Sequence, residues 1–398
     1  MNKLAQRLCL ALLLVLPLEA LSATGDGSPT DANLVYVGRW DKTNPSQPQS
    51  YWGGAYIRAE FTGTSISVKV GKRVDLAVFI DNKPVSMKLG ANGTVSLATG
   101  LAAGNHTIKL VARFQSDEIL FQGFVLAAGA KTVEAAKPKA LIEFLGNSIT
   151  SGSVTTNGNV SAFPWLVGET LGVDRTAISY PGICLVGNGH YSGNGFPGIG
   201  LEIQYFKLVT PPITPTTTQP GAKDWDFGQY TPDMVVINIG TNDALAGGIS
   251  GTTVQAAYIN LLKKIRAKLP KTRIFAVRTF GGYQESQTKA AVDALVNGGD
   301  KRVHYVNTTG WLATTDYASD KLHPSDAGQI KAASKLAAVL KPYLDSIITA
   351  DVETRPAAQN RNPPLRLSPR LKLSIQPNGR NLSFDQFHSM LSEMPARN

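Results

Sequence analysis

The pattern of the chain changes at about residue 139, and this change constrains the fold more than any other feature. Before it, short alternating runs of apolar and polar residues are separated by turn residues. After it, apolar runs alternate with segments of helical periodicity. A run of strands followed by alternating strands and helices is typical of two domains. The sequence of 398 residues therefore predicts an all-β domain over residues 33–130 and an α/β domain over residues 139–349.

The first predicted domain has six clear strands: Tyr56–Phe61, Ser65–Val70, Leu76–Asp81, Thr94–Leu97, His106–Ala112 and Ile119–Leu126. Three segments predict tight hairpin connections, namely 62–64, 81–84 and 91–93, because they contain glycine, asparagine or proline. Two packed antiparallel sheets are the simplest way to bury one face of each strand. We therefore expect a β-sandwich.

The second predicted domain has five strands: Leu141–Leu145, Asp174–Ser179, Met234–Ile239, Ile274–Thr279 and Val303–Asn307. Helical periodicity is clearest from Val254 to Leu269 and from Ser325 to Ile348. This alternation predicts a parallel sheet that helices cover on both faces. Ligands in this architecture bind outside the carboxyl ends of the strands, so functional residues are expected in the loops that begin there.

The two ends of the chain have other compositions. Residues 1–23 resemble a secretory signal, with Lys3 and Arg7 before the apolar stretch Leu8–Leu18 and a small-residue cleavage site at Ser22-Ala23. That stretch is short of the 20 or so residues that span a bilayer, although an uncleaved anchor is the alternative. We expect a secreted, extracellular monomer without stable membrane insertion. Residues 350–398 predict a largely disordered tail.

The formal net charge of +10 raises the question of a nucleic-acid partner. The excess is thinly spread, with +1 in the signal and +3 in each of the β domain, the α/β domain and the tail. No basic run accompanies it, so we expect no nucleic acid as partner.

Cys184 is the only cysteine after the signal, which leaves no intramolecular disulfide. Five glycosylation sequons fit a secretory route; they lie at Asn92, Asn105, Asn159, Asn307 and Asn381.

Two predicted strand ends and the segment before the last predicted helix carry polar residues suited to nucleophilic catalysis. The first strand leads into Gly146-Asn147-Ser148-Ile149-Thr150, which places the Ser148 hydroxyl at a strand-to-helix turn. Another ends in Gly240-Thr241-Asn242-Asp243, where Asn242 offers an amide donor. The segment Asp320-Lys321-Leu322-His323-Pro324 lets a carboxylate hold an imidazole three residues away. The combination predicts a serine triad of Ser148, Asp320 and His323, although each residue alone also fits a helix cap or a turn.

The other histidines fit the role of base less well. His106 lies in the β domain, His304 inside a predicted strand and His388 in the tail. His190, in a glycine-rich loop, is the one rival to His323, but no acidic residue is its neighbour. Cys184 is interpreted as a small apolar residue of the cleft, with a reactive thiol as the alternative.

The four blocks 146–150, Gly182 after Tyr180-Pro181, 240–243 and 320–324 resemble, in order and spacing, the motif blocks of the SGNH (GDSL-like) hydrolases. The β domain is similar to the N-terminal jelly roll of the two-domain acetylesterases of carbohydrate esterase family 2, notably at 63–68 and 104–110. This resemblance implies a jelly-roll β-sandwich followed by a flavodoxin-like three-layer catalytic domain.

The resemblance also implies roles for the residues. Ser148 would be the nucleophile, His323 the general base and then acid, and Asp320 the residue that orients the histidine. The backbone amides of Ser148 and Gly182 and the side-chain amide of Asn242 would hold the oxyanion. Asn147 departs from the aspartate of the commoner block. Some similar proteins use a Ser-His dyad, so a dyad of Ser148 and His323 without Asp320 is the alternative. No cofactor and no metal are expected.

The substrate follows from weaker signals. The polar, glycine-rich segment 187–200 suits an open, hydrophilic site better than an acyl-chain tunnel. We therefore expect a serine esterase that removes O-acetyl groups from polysaccharide, such as acetylated xylan or mannan, through an acyl-enzyme. A GDSL-type lipase or esterase on lipid or small acyl esters is one alternative, and a carbohydrate-binding protein with a vestigial hydrolase site is another.

Overall fold

Two sheets, one antiparallel and one parallel, divide the chain at the position where the sequence pattern changes. The structure is a computed structural model that describes residues 25–187, 199–210, 223–246 and 249–354. The predicted signal, residues 1–23, lies outside the described residues, as does the tail beyond residue 354. Within the described ranges, every helix is too short or too polar to cross a membrane.

Seven strands build the antiparallel domain: β1 Val35–Asp41, β2 Gln49–Thr62, β3 Ile66–Ile80, β4 Lys83–Ala98, β5 Asn105–Ala112, β6 Phe121–Leu126 and β7 Thr132–Val133. Their order is β1-β2-β5-β3-β4, with β6 also paired to β3 and β7 to β2. Side chains from one face of these strands form an apolar core that includes Phe61, Val68, Leu76 and Leu110. The predicted all-β domain is confirmed, and its last strand lies beyond residue 130.

Several details of the strand prediction were wrong. The two predicted strands 65–70 and 76–81 form the single long strand β3. Residues 91–93 do not form a hairpin but lie inside β4, opposite an irregularity in the register of β3. Residues 62–64 connect β2 and β3, which are not neighbours in the sheet. Only the turn at 81–84 joins paired strands, and there Asp81 and Asn82 adopt φ values of 53° and 59°. Local turn signals could not distinguish a hairpin from a bulge.

The second domain contains β8 Leu141–Gly146, β9 Asp174–Ser179, β10 Met234–Asn238, β11 Arg273–Val277 and β12 Val303–Val306. Its helices are α1 Ser148–Ser151, α2 Phe163–Leu171, α3 Leu201–Gln204, α4 Thr241–Leu245, α5 Gly251–Lys268, α6 Glu285–Asn297 and α7 Asp326–Thr354, with 3-10 turns at Gly158–Ser161 and Thr314–Asp316. All pairings in this sheet are parallel, in the order β12-β11-β10-β8-β9. This order is that of the flavodoxin-like fold.

Helices cover both faces of the parallel sheet because its strands bury both faces. Every residue of β9 and β10 is buried. One face packs against α2 and α7 through residues such as Phe144 and Leu336, and the other packs against α5 and α6 through residues such as Ile237 and Leu261. The described part of α7 extends to Thr354, past the predicted boundary at 349.

The two domains share one interface. Phe79 and Tyr56 of the β domain contact Trp165, with ring centroids 5.1 and 5.6 Å apart. Gly54 lies so close to Ala177 that a Cβ there would be 1.9 Å from the Ala177 nitrogen. This packing holds the β domain against the β9 side of the parallel sheet.

Candidate functional site

The predicted nucleophile lies at the carboxyl end of β8, in the centre of the parallel sheet. Gly146 ends the strand, and a Cβ there would be 2.0 Å from Thr150 Oγ1, so the turn requires glycine. The Asn147 side chain then caps α1 by accepting a hydrogen bond from the Ile149 amide at 3.0 Å. Ser148 is the first residue of α1, so its amide has no acceptor within the helix. The turn thus presents a hydroxyl and an unpaired amide at the same edge.

The turn from Asp320 to His323 brings the predicted base to this serine. His323 Nε2 lies 2.7 Å from Ser148 Oγ, and His323 Nδ1 lies 2.7 Å from Asp320 Oδ2. Asp320 Oδ1 accepts the backbone amides of Leu322 and His323, at 2.9 and 3.0 Å. One carboxylate therefore fixes both the backbone of the turn and the orientation of the imidazole.

The charge of Asp320 determines the tautomer of His323. Partial burial raises the pKa of Asp320, but the two backbone amides and the imidazole outweigh it and lower this pKa to about 2. An ionised carboxylate only accepts hydrogen bonds, so His323 Nδ1 carries the proton. Nε2 is then free to accept the Ser148 hydroxyl proton, which is the protonation state that a general base needs.

The predicted oxyanion donors lie beside this triad. The Tyr180 amide donates to Gly146 O at 3.2 Å, which joins the segment containing Gly182 to the nucleophile turn. Gly182 adopts a φ of 77°, a region that favours glycine. Asn242 Nδ2 donates to Ile183 O at 2.8 Å, so its amide is held next to Gly182 with a second hydrogen still available. The structure therefore brings all five predicted site residues to one edge of the sheet.

Asp243 has a function in this site that the sequence reasoning missed. Its carboxylate accepts the amides of Leu185 and Val186, at 2.9 and 3.0 Å, and so holds the segment that follows Gly182. Burial raises the pKa of Asp243, although these amides partly oppose the shift. The sequence alone did not reveal this role, because the partners of Asp243 lie almost 60 residues away in the chain.

The alternative nucleophile, Cys184, is unfavourable. Cys184 is buried, and burial together with Asp243 raises the pKa of its thiol to about 12, so a thiolate is disfavoured. His190 lies outside the described residues. Among the residues that the structure does describe, there is no cluster of three or more histidine, cysteine and carboxylate side chains with the spacing of a metal site.

Comparison with known families identifies both domains. The family model "Carbohydrate esterase 2 N-terminal" matches residues 36–135, and the "GDSL-like Lipase/Acylhydrolase family" model matches residues 144–330. The chain therefore joins an N-terminal domain of carbohydrate esterase family 2 to a domain of the GDSL-like lipase/acylhydrolase family. All of the blocks in the candidate site lie within the second match, and the second family is one of carboxylic ester hydrolases.

Two relatives show how far the family likeness extends. The cellulase/esterase CelE of Acetivibrio thermocellus is 31% identical over 331 residues, which cover 78% of this chain but only 39% of CelE. An acetylxylan esterase / glucomannan deacetylase of Cellvibrio japonicus is 24% identical over 305 residues, which cover 70% of this chain and 82% of the relative.

Solved structures agree with this assignment. A family two carbohydrate esterase from Clostridium thermocellum, solved in complex with cellohexaose, is 28% identical and has a TM-score of 0.67. The match covers 78% of this chain and 99% of that chain. A family two carbohydrate esterase from Cellvibrio japonicus shares the fold, with 17% identity and a TM-score of 0.66 over 82% of this chain and 97% of the other. The predicted two-domain fold is therefore confirmed.

Proposed function

We propose that this protein is a serine esterase that removes O-acetyl groups from a polysaccharide through an acyl-enzyme. The observation that carries the proposal is the unbroken hydrogen-bond chain from Ser148 Oγ through His323 to Asp320. Such a chain activates a hydroxyl for attack on a carbonyl carbon.

In the first half of the reaction, Ser148 Oγ attacks the acetyl carbonyl carbon while His323 Nε2 takes the hydroxyl proton. Negative charge develops on the carbonyl oxygen, where the amides of Ser148 and Gly182 and the Asn242 side chain are proposed to donate hydrogen bonds. The tetrahedral intermediate collapses by breaking the bond to the sugar oxygen, and His323 gives its proton to that oxygen. The products are a free sugar hydroxyl and acetylated Ser148.

In the second half, water replaces the sugar. His323 Nε2 takes a proton from the water as the oxygen attacks the acetyl carbon, and the same donors hold the oxyanion. Collapse breaks the bond to Ser148 Oγ, which regains its proton from His323. Acetic acid is released, and the triad returns to its starting state.

The substrate class rests on the relatives. CelE is called a cellulase/esterase, the Cellvibrio relative acts on acetylated xylan and glucomannan by its name, and the Clostridium structure holds cellohexaose. We infer that an acetylated, β-linked plant polysaccharide is the substrate of this chain as well.

Acetate release from acetylated xylan and acetylated mannan tests the proposal. The wild type is expected to release acetate, and Ser148→Ala is expected to release none above background. Equal release by both proteins would refute the mechanism. Faster hydrolysis of long-chain than of acetyl esters would select a lipase, and glycan binding without any hydrolysis would select a binding protein.

We further propose that the protein is secreted, on the basis of residues 1–23. The N-terminal sequence of protein recovered from culture medium tests this, and a mature chain that still begins at Met1 would contradict it. Of the five sequons, those at Asn92, Asn105 and Asn307 are exposed and thus accessible to N-glycosylation if the host adds N-glycans, whereas Asn381 lies outside the described residues. Asn159 is different, because it is buried and its side-chain amide donates to the backbone carbonyls of Gly53 and Ala112.

A further inference from the structure

The helix α1, which carries Ser148, is a single turn, so its hydrogen bonds must be completed by other parts of the chain. It spans Ser148–Ser151, and the amides of Gly152 and Ser153 both donate to Ser148 O. The carbonyl of Ile149 therefore has no donor within the helix. A buried carbonyl without a partner is costly, so its donor must come from elsewhere.

Gln329 supplies that donor from α7. Its Nε2 donates to Ile149 O at 3.0 Å, and its Oε1 accepts the Phe163 amide at 2.9 Å. Phe163 is the first residue of α2, whose N-cap residue Ala162 has no side-chain acceptor. Gln329 thus completes the end of α1 and the start of α2 at once. It is 1% exposed, so water cannot substitute for either bond.

The same helix follows directly after the catalytic histidine. Ser325 donates through its amide and hydroxyl to Asp316 O, and the Gln329 amide donates to Ser325 O at 2.8 Å. Only Pro324 separates His323 from this anchored start of α7. A displacement of Gln329 relative to α1 should therefore change the distance between Ser148 Oγ and His323 Nε2.

A second contact also connects α7 to the segment that follows Ser148, from a position one turn earlier in α7. Asp326 accepts the Thr156 hydroxyl at 2.6 Å and the Thr156 amide at 3.2 Å. Asp326 and Gln329 are three residues apart and so lie on the same face of α7. Both hold the segment that follows the nucleophile.

We propose that Gln329 is a positioning residue for catalysis, which sets the alignment of Ser148 with His323 by bonding to α1 and α2 from the helix that follows the histidine. This inference rests on the proposed serine-esterase function. It predicts that losing the bond to Ile149 O slows attack by Ser148, because misplacement of reacting groups by about 1 Å can cost ~100-fold in rate.

The test compares Gln329→Met with Thr272→Val. Methionine keeps the length and flexibility of the side chain and removes both hydrogen bonds. Thr272 is a matched control, because its buried hydroxyl also bonds a backbone carbonyl, that of Pro232 at 2.7 Å, but at the amino ends of β10 and β11. Each variant is assayed for kcat and KM on a small acetyl ester and for its rate of covalent labelling by a serine-directed fluorophosphonate.

Gln329→Met is expected to lose roughly 10- to 100-fold in kcat and in labelling rate, with KM within about threefold. Thr272→Val is expected to keep both rates, even where its thermal stability falls. Gln329→Glu, assayed at a pH where the new carboxyl is ionised, separates the two bonds, since the carboxylate accepts the Phe163 amide but has no hydrogen to donate to Ile149 O, and it should be as slow as Gln329→Met. Thr156→Val, at an exposed position, should give a smaller loss of the same kind.

Rates for Gln329→Met and Gln329→Glu within twofold of the Thr272→Val rates would overturn the inference. If Gln329→Met does not fold, the Gln329→Glu and Thr156→Val rates decide in the same way. If the wild type hydrolyses no ester but its labelling still exceeds that of Gln329→Glu, the proposed function fails and the positioning role stands.

Discussion

Two histidine–aspartate pairs in this chain have nearly the same local geometry but different chemistry. In the hydrolase domain, His323 Nδ1 lies 2.7 Å from Asp320 Oδ2, and Asp320 Oδ1 accepts backbone amides of the same turn. In the β domain, His106 Nδ1 lies 2.8 Å from Asp81 Oδ2, and Asp81 Oδ1 accepts the Thr107 amide at 2.9 Å. In both pairs the carboxylate therefore orients the imidazole through Nδ1 and accepts a nearby backbone amide.

The difference lies in the partner of the second ring nitrogen. His323 Nε2 faces a serine hydroxyl, which can donate a proton to it. His106 Nε2 lies 2.8 Å from the carbonyl of Ala102, which can only accept. The Ala102 carbonyl, together with Asp81, raises the pKa of His106 and favours the imidazolium. A histidine–aspartate pair is thus a general base only where its other nitrogen meets a donor.

The largest expected effect comes from removing each histidine. His323→Ala should lower kcat/KM for an acetyl ester by about 10⁴-fold or more, because no other described group can take the Ser148 proton. His106→Ala should leave kcat/KM within about twofold and reduce only stability. Initial rates and thermal unfolding of both variants check this. A comparable loss of activity in both variants would show that the comparison is wrong.

Changing each aspartate to asparagine tests whether the carboxylate is needed. Asp320→Asn keeps the shape but no longer favours the tautomer with a proton on Nδ1, so kcat should fall by roughly 10²- to 10⁴-fold. Asp81→Asn is the control and should leave kcat unchanged. A loss below about tenfold for Asp320→Asn would instead indicate a Ser-His dyad.

The proposed oxyanion donors mark a further difference, because the described partners of the His106 ring are Asp81 and the Ala102 carbonyl, which only accept hydrogen bonds. Asn242→Ala removes one proposed donor, and kcat should fall by about 100- to 1000-fold with a small change in KM. Asn242→Asp, which replaces the amide by an acceptor, should be at least as slow. Unchanged kcat in Asn242→Ala would remove this side chain from the oxyanion site.

Sequence reasoning found those parts of the site that are local in the chain. Asp320 and His323 are three residues apart, and Ser148 lies at the end of an apolar strand, so short patterns were sufficient. His106 was set aside for its place in the β domain, and the contact that distinguishes it from His323 was not predicted. The carbonyl of Ala102 carries no sequence signal at all.

Contacts between distant segments could not be predicted in this way. Glu143 is the one charged residue of the apolar strand Leu141–Leu145, and the sequence does not indicate its partners; it accepts the Tyr205 hydroxyl at 2.7 Å and lies 4.0 Å from the buried Arg39 of the β domain. Gln329 and Asp243 likewise have partners far along the chain. Buried polar groups need partners, but the sequence alone does not say which ones.

The smallest predicted effect is the dependence of stability on pH at His106. Because folding raises the pKa of His106, its stabilising contribution is fully present below the unfolded value of about 6.5 and is lost as pH rises through the folded value. The free energy of unfolding of the wild type minus that of His106→Gln should therefore decrease as pH rises from 5.5 to 9, by less than about 1 kcal/mol because such pairs are screened by solvent.

His304→Gln is a control of opposite sign, since burial lowers the pKa of His304 and its contribution is lost on acidification. Denaturant unfolding at several pH values measures both slopes. A difference for His106→Gln that is flat or increases with pH would mean that the carbonyl of Ala102 does not hold an imidazolium, and the contrast between the two pairs would then rest on Ser148 alone.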